Sequence, residues 1–158
     1  MHEEAPPTWL APVISLFLLT GLGASLYLGH LYLLVQNGGG EVDSFCNINQ
    51  AFNCVTVATS SYSSFLGLPI ALYGIEFFAG AQLLLLFGAW RVIPVRRWDS
   101  LLFIFTGMGL PACGVLAWIS AYRIYSFCIM CLTVYGVVVF TFLILLLSAR
   151  GRVAALIS

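Results

Sequence analysis

Two cysteines three residues apart open the last long apolar run of the chain, Phe127-Cys128-Ile129-Met130-Cys131-Leu132-Thr133-Val134-Tyr135. On a helix, positions i, i+3 and i+7 share a face. Cys128, Cys131 and the Tyr135 phenol are therefore expected on one side, with Tyr135 about 6 Å of axial rise below Cys131. A helix start carries partial positive charge, which favours the thiolate, and thiolate is the attacking form in disulfide exchange. A thiol pair above an aromatic hydroxyl, in apolar surroundings, suits electron transfer to a lipid-soluble acceptor. Two more cysteines, Cys46 and Cys54, lie on the only sizeable polar segment, rich in Asn and Ser and free of Lys and Arg.

The elements that must position these groups are membrane helices. Hydrophobic residues make up 61% of the chain and charged residues only 8%, more apolar surface than a soluble domain of this size can hide. The formal net charge is zero, which argues against a nucleic-acid partner. Apolar runs at about residues 9–35, 65–90, 99–122 and 126–149 are each long enough for a helix to cross the hydrocarbon. They predict an all-α integral membrane protein, a four-helix bundle forming a single domain over residues 1–158, with a cysteine-bearing loop at about 36–64. The acidic start, His2-Glu3-Glu4, lacks the basic region of a cleaved signal, so the first run is expected to be retained. The loop between spans one and two has no basic residue and the turn after span three has only Arg123, whereas Arg91, Arg96 and Arg97 follow span two and Arg150 and Arg152 follow span four. Basic residues favour the cytoplasmic side, so both termini are expected there. All four of Cys46, Cys54, Cys128 and Cys131 then face the opposite, disulfide-permitting side.

Other readings of these residues stand beside that one. Two plain stabilising disulfides on a non-enzymatic membrane protein would use the same cysteines, and a four-thiolate zinc site would need two cysteine pairs. Glu76, near mid-depth in span two, either relays protons or sits neutral and bonded to a neighbour. Cys113 reads as a small buried filler and His30 as an interfacial histidine, while Phe105 or Trp118 could stack on a ring level with Cys131.

The order of these motifs resembles the vitamin K epoxide reductase (VKOR) family, its bacterial branch more than its animal enzymes. The likeness runs over nearly the whole chain. Cys46 and Cys54 precede Thr59-Ser60-Ser61-Tyr62-Ser63-Ser64-Phe65-Leu66-Gly67-Leu68-Pro69, and Cys128-x-x-Cys131 with Tyr135 follows two spans later. The resemblance implies a thiol-disulfide oxidoreductase in a bacterial inner membrane that oxidises a thioredoxin-like periplasmic partner and reduces a quinone (ubiquinone, menaquinone or a vitamin K-like molecule). It implies that Cys46 takes the partner's electrons, Cys54 exchanges with Cys128, and Cys131 donates to the quinone. Tyr135 and the loop hydroxyl Ser60 would contact the ring, and Phe65 would belong to a half-helix lid. Two departures bear on activity. Animal enzymes carry an asparagine near the head of the second helix, where this chain has Leu68-Pro69-Ile70, so thiol oxidation by a quinone carries over, whereas epoxide reduction is left open. The thioredoxin-like domain fused to many bacterial relatives is not in this sequence, so the partner is expected to be a separate protein.

Overall fold

Twenty-seven consecutive residues without an acid, a lysine or an arginine form the first helix, α1 (Leu10–Gln36). The computed structural model describes residues 9–38, 44–89 and 98–157, with side chains to residue 149. After α1 come a short helix, α2 (Cys54–Thr59), and a two-stranded hairpin of β1 (Ser64–Phe65) and β2 (Leu68–Pro69). Three longer helices follow: α3 (Ile70–Ala89), α4 (Trp98–Ile119) and α5 (Ile129–Ile157). A π-helical turn, Ser120–Ile124, extends α4. Four helical stretches, Leu10–Gln36, Ile70–Ala89, Trp98–Ile124 and Ile129–Ala149, are long and apolar enough to cross a membrane.

Each helix buries a narrow stripe and leaves the rest apolar, as lipid permits and water would not. α1 packs on α3 and α5, and α4 packs on the same two, so the helices run round the bundle in the order α1, α3, α4, α5. Leu10, Ile14 and Leu18 of α1, one turn apart, meet Phe78, Ala81 and Leu85 of α3, Leu102 of α4 and Val138 and Leu145 of α5 in the core. Gly21 is what allows α1 to approach so closely, because a β-carbon there would run into the Phe78 ring.

Two expectations are corrected. The second span starts at Ile70, not near residue 65, because Leu66 (φ 52°) and Gly67 (φ 81°) both take left-handed backbone between β1 and β2. That is the two-residue turn a tight hairpin needs; Gly67 adopts it freely and Leu66 at some cost. The half-helix is α2, capped by the Asn53 side chain accepting from the Thr56 N–H at 2.9 Å. Phe65 lies in the hairpin instead. The arginines behind the expected orientation, Arg91, Arg96 and Arg97, lie outside the described residues.

Candidate active site

A single stretch of backbone pairing joins the polar loop to the start of α5. The Phe127 N–H donates to the Ala51 carbonyl (2.8 Å) and the Asn53 N–H donates to the Phe127 carbonyl (3.0 Å), making a parallel bridge between Phe52 and Phe127. Cys128 directly follows Phe127, and Cys54 directly follows Asn53, whose N–H closes the bridge. Cys54 is the first residue of α2, and Cys128 stands at the N-cap of α5, its carbonyl accepting from the Leu132 N–H. The Cys128 Sγ consequently lies 2.9 Å from the Cys54 Sγ, and Cys54 is already bonded to Cys46.

The sulfurs of Cys46, Cys54 and Cys128 all lie within 4.8 Å of one another, and all three residues are buried, Cys54 completely. Since two of these sulfurs are bonded to each other, the group presents a disulfide beside a free thiol. That is the geometry of thiol-disulfide exchange.

The surroundings of Cys128 prepare it to attack. Hydrogen bonding from the Cys131 thiol, joined by the backbone N–H groups of Cys131 and Met130, holds the Cys128 thiol below its ordinary value despite the opposing effect of burial. The sulfur thus occupies the place of a capping oxygen at a helix N-terminus. A lowered value means that thiolate appears at lower pH than for a free cysteine. The exchange rate is expected to rise through a midpoint below about 8.5, the free-cysteine value, and then level off. In Cys131→Ala the midpoint is expected to move upward, because the hydrogen bond from the Cys131 thiol is gone. Rapid acid quenching of the exchange at stepped pH, followed by non-reducing peptide mass spectrometry, measures both.

Below the sulfur cluster lies a cavity of about 410 Å³ bounded by all four long helices, within the usual range for small-molecule sites. Its walls are mainly apolar and aromatic, including Phe77 and Phe105, stacked at 4.9 Å. Cys54, Cys131, Cys113, Tyr135 and Ser120 also line it. Tyr135, Cys131 and Ser120 share one part of this wall, with the Tyr135 phenol next to both. A flat ring with carbonyl edges fits this donor set: aromatic faces on the sides, with phenol and serine hydroxyls at one end.

The structure brings Cys46, Cys54 and Cys128 together and puts Cys131 and Tyr135 on the cavity wall. It does not bring in the other two expected contacts. Ser60 ends α2, its hydroxyl donating to the Val57 carbonyl at 2.7 Å, and it does not line the cavity. Tyr62 and Ser63 supply the hydroxyls on that side. Phe65 is 61% exposed and outside the cavity, touching it only through Tyr73, whose hydroxyl donates to the Phe65 carbonyl. Cys113, expected as filler, is part of the wall, as is Phe105, whereas Trp118 is exposed. Glu76 and His30 point outward from α3 and α1, away from the cavity. Sequence reasoning missed Ser120. Its signal would have been the π turn, a feature that tends to mark functional sites, but nothing in Ile119-Ser120-Ala121-Tyr122 announces one.

Four membrane-length helices, a disulfide-thiol cluster at one end and an apolar cavity beneath it define a membrane redox protein. Residues 12–146 match the Vitamin K epoxide reductase family, and the chain belongs to that family. It is similar to "Vitamin K epoxide reductase complex subunit 1" of Mus musculus, with 30% identity over 145 residues covering 82% of this chain and 86% of that protein. The Rattus norvegicus protein of the same name is 29% identical over the same shares. Members of the family are oxidoreductases. The matched region includes Cys46, Cys54, Cys128, Cys131 and Tyr135.

Proposed function

We propose that this protein is a quinone-dependent thiol-disulfide oxidoreductase, taking electrons from a thioredoxin-like partner through Cys46 and Cys54 to Cys128 and Cys131. The observation that carries the reading is the 2.9 Å approach of Cys128 to Cys54, directly above a cavity that Cys131 enters. A partner dithiol attacks Cys46, Cys54 departs as thiolate, and the partner's second thiol completes its own disulfide. Cys54 then attacks Cys128 of a Cys128–Cys131 disulfide, and Cys131 leaves as thiolate toward the cavity. Cys46 finally attacks Cys54, re-forming the loop disulfide and releasing Cys128. The bonded Cys46–Cys54 pair beside free Cys128 and Cys131 matches the state after the electrons have moved inward.

A quinone bound in the cavity supplies the two-electron, two-proton acceptor that closes the cycle. Tyr135 and Ser120 orient its carbonyl end, and the aromatic walls exclude water. Pro69 and Ile70 line the edge where animal enzymes of the family are thought to hold an asparagine. They offer no side-chain donor, which supports quinone over epoxide as the acceptor. The inward step needs little movement. The outward step requires the loop around Cys46 to open, because both bonded cysteines are buried. The orientation follows the loop charges: cytoplasmic termini and the cysteine end facing the periplasm of a bacterial inner membrane.

The test is turnover by the purified protein in lipid. Oxidation of a reduced thioredoxin-like protein is expected only when quinone is present, with one quinone consumed per disulfide formed. In Tyr135→Phe, KM for the quinone is expected to rise about tenfold, the loss of one oriented hydrogen bond. Thiol oxidation at the same rate without quinone would overturn the proposal, as would two disulfides that resist mild reductant.

A further inference from the structure

Cys46 is held by a hydrogen-bond chain whose direction can be deduced. The Ser44 Oγ lies 3.1 Å from the Cys46 Sγ and 2.8 Å from the Tyr27 hydroxyl, and the Cys46 N–H points to the same Oγ at 3.4 Å. A disulfide sulfur has no hydrogen, so in this contact Cys46 can only accept. Ser44 therefore spends its single O–H on the sulfur, and Tyr27 must be the donor to Ser44. With one donor and two acceptor sites used, the serine hydroxyl is fully satisfied. A turn closed by the Asn47 N–H on the Ser44 carbonyl (2.9 Å) fixes this arrangement. The Phe45 ring lies against Tyr27, with centroids 4.8 Å apart. Ser44 is only 5% exposed, so water competes little for its proton.

We propose that Ser44, positioned by Tyr27, stabilises negative charge on the Cys46 sulfur whenever that sulfur leaves the disulfide. When Cys128 thiolate attacks Cys54, the Cys54–Cys128 bond forms, the Cys46–Cys54 bond breaks and the electron pair departs on Cys46. No electrons are gained or lost overall; one negative charge passes from Cys128 to Cys46. In the reverse direction Cys46 must attack as thiolate. Each end of the exchange thus has its own stabiliser: the α5 N-terminus at Cys128 and the Ser44 hydroxyl at Cys46. A hydrogen bond to an ionised acceptor is roughly twice as strong as one to a neutral acceptor, so the contact strengthens as charge arrives. Ser44 touches a reacting atom, whereas Tyr27 acts through Ser44. Among the described residues, the other titratable groups packed around Cys46 are Cys54, Cys128 and Cys131. Glu41 and Asp43 precede it, outside the described residues.

The inference refines the relay proposed above, but its test needs neither quinone nor partner. In full-length Cys128→Ser/Cys131→Ser protein, the Cys46–Cys54 disulfide is equilibrated with a dithiothreitol buffer from pH 6 to pH 9.5. Adding Ser44→Ala is expected to favour the disulfide about three- to tenfold at the alkaline end, where Cys46 would be thiolate, and hardly at all at pH 6. Ser44→Thr keeps the hydroxyl and is expected to match the parent, with Tyr27→Phe in between. An equal shift at every pH would mean a packing effect and would overturn the proposal. So would no shift at all, or failure of Ser44→Thr to restore a protein that remains folded. Loss of quinone turnover with this pH signature intact would count against the relay alone.

Discussion

Replacing Cys131 by alanine is expected to abolish quinone reduction and to make a Cys54–Cys128 disulfide accumulate. Cys128 lies 2.9 Å from Cys54 and needs no rearrangement to exchange with it. Its other possible partner, one turn along α5, is gone in this variant, so no Cys128–Cys131 disulfide can form. The loss is expected to exceed about 10³-fold, because the proposed electron donor is removed and no other cysteine among the described residues is proposed for that role. Cys113 also lines the cavity, but it lies on α4, outside the Cys46, Cys54 and Cys128 cluster. Non-reducing peptide mass spectrometry measures the trapped bond. Finding only Cys46–Cys54 in that variant would reverse the assigned order of the relay, and retained turnover would remove Cys131 from it.

Phe127→Pro is expected to uncouple the two cysteine pairs while leaving four helices in place. A proline has no N–H, so the 2.8 Å bond to the Ala51 carbonyl is lost and the bridge that aligns Cys54 with Cys128 opens on one side. Proline is tolerated just before a helix, so α5 should still start at Ile129. A displacement of about 1 Å at reacting atoms can cost about 10²-fold, and a loss of that order is expected in the rate of Cys54–Cys128 exchange. Phe127→Ala keeps the N–H and loses only the contact with Phe52, so it should stay within a few-fold of the parent. Equal defects in the two variants would assign the effect to the ring and not to the backbone pairing. Rapid quench of the exchange, with circular dichroism as a check on helix content, separates these outcomes.

Much of this was legible in the residues. Membrane helices write themselves as long uncharged runs, because no backbone or charge can be left unsatisfied in hydrocarbon. The four spans were therefore readable to within a few residues at most ends, and Cys128, Cys131 and Tyr135 could be given one face from helical period alone. The start of the second span was misread because Ser64-Phe65-Leu66-Gly67-Leu68-Pro69 is as apolar as the helix it precedes. Hydropathy does not distinguish a hairpin from a helix turn; only the positive φ values of Leu66 and Gly67 do. Ser60 and Phe65 lie off the cavity wall for a related reason. Both belong to a loop whose path depends on the α2 cap and the hairpin, which composition does not encode.

The sequence by itself determined the solvent, the number of spans and the inventory of reactive groups, because these depend on local pattern and on residue chemistry. It also placed Cys131 and Tyr135 one turn apart, since both lie on the same helix. Only the tertiary structure decided which sulfur meets which. Cys54 and Cys128 are 74 residues apart, and the backbone bridge at Phe127 brings them to 2.9 Å. The cavity is tertiary in the same sense, as all four long helices contribute to its wall. So is the hydrogen-bond chain from Tyr27 through Ser44 to Cys46, which joins a membrane helix to a loop 17 residues away. Contacts of this kind arise from packing between distant segments, and no periodicity within either segment records them.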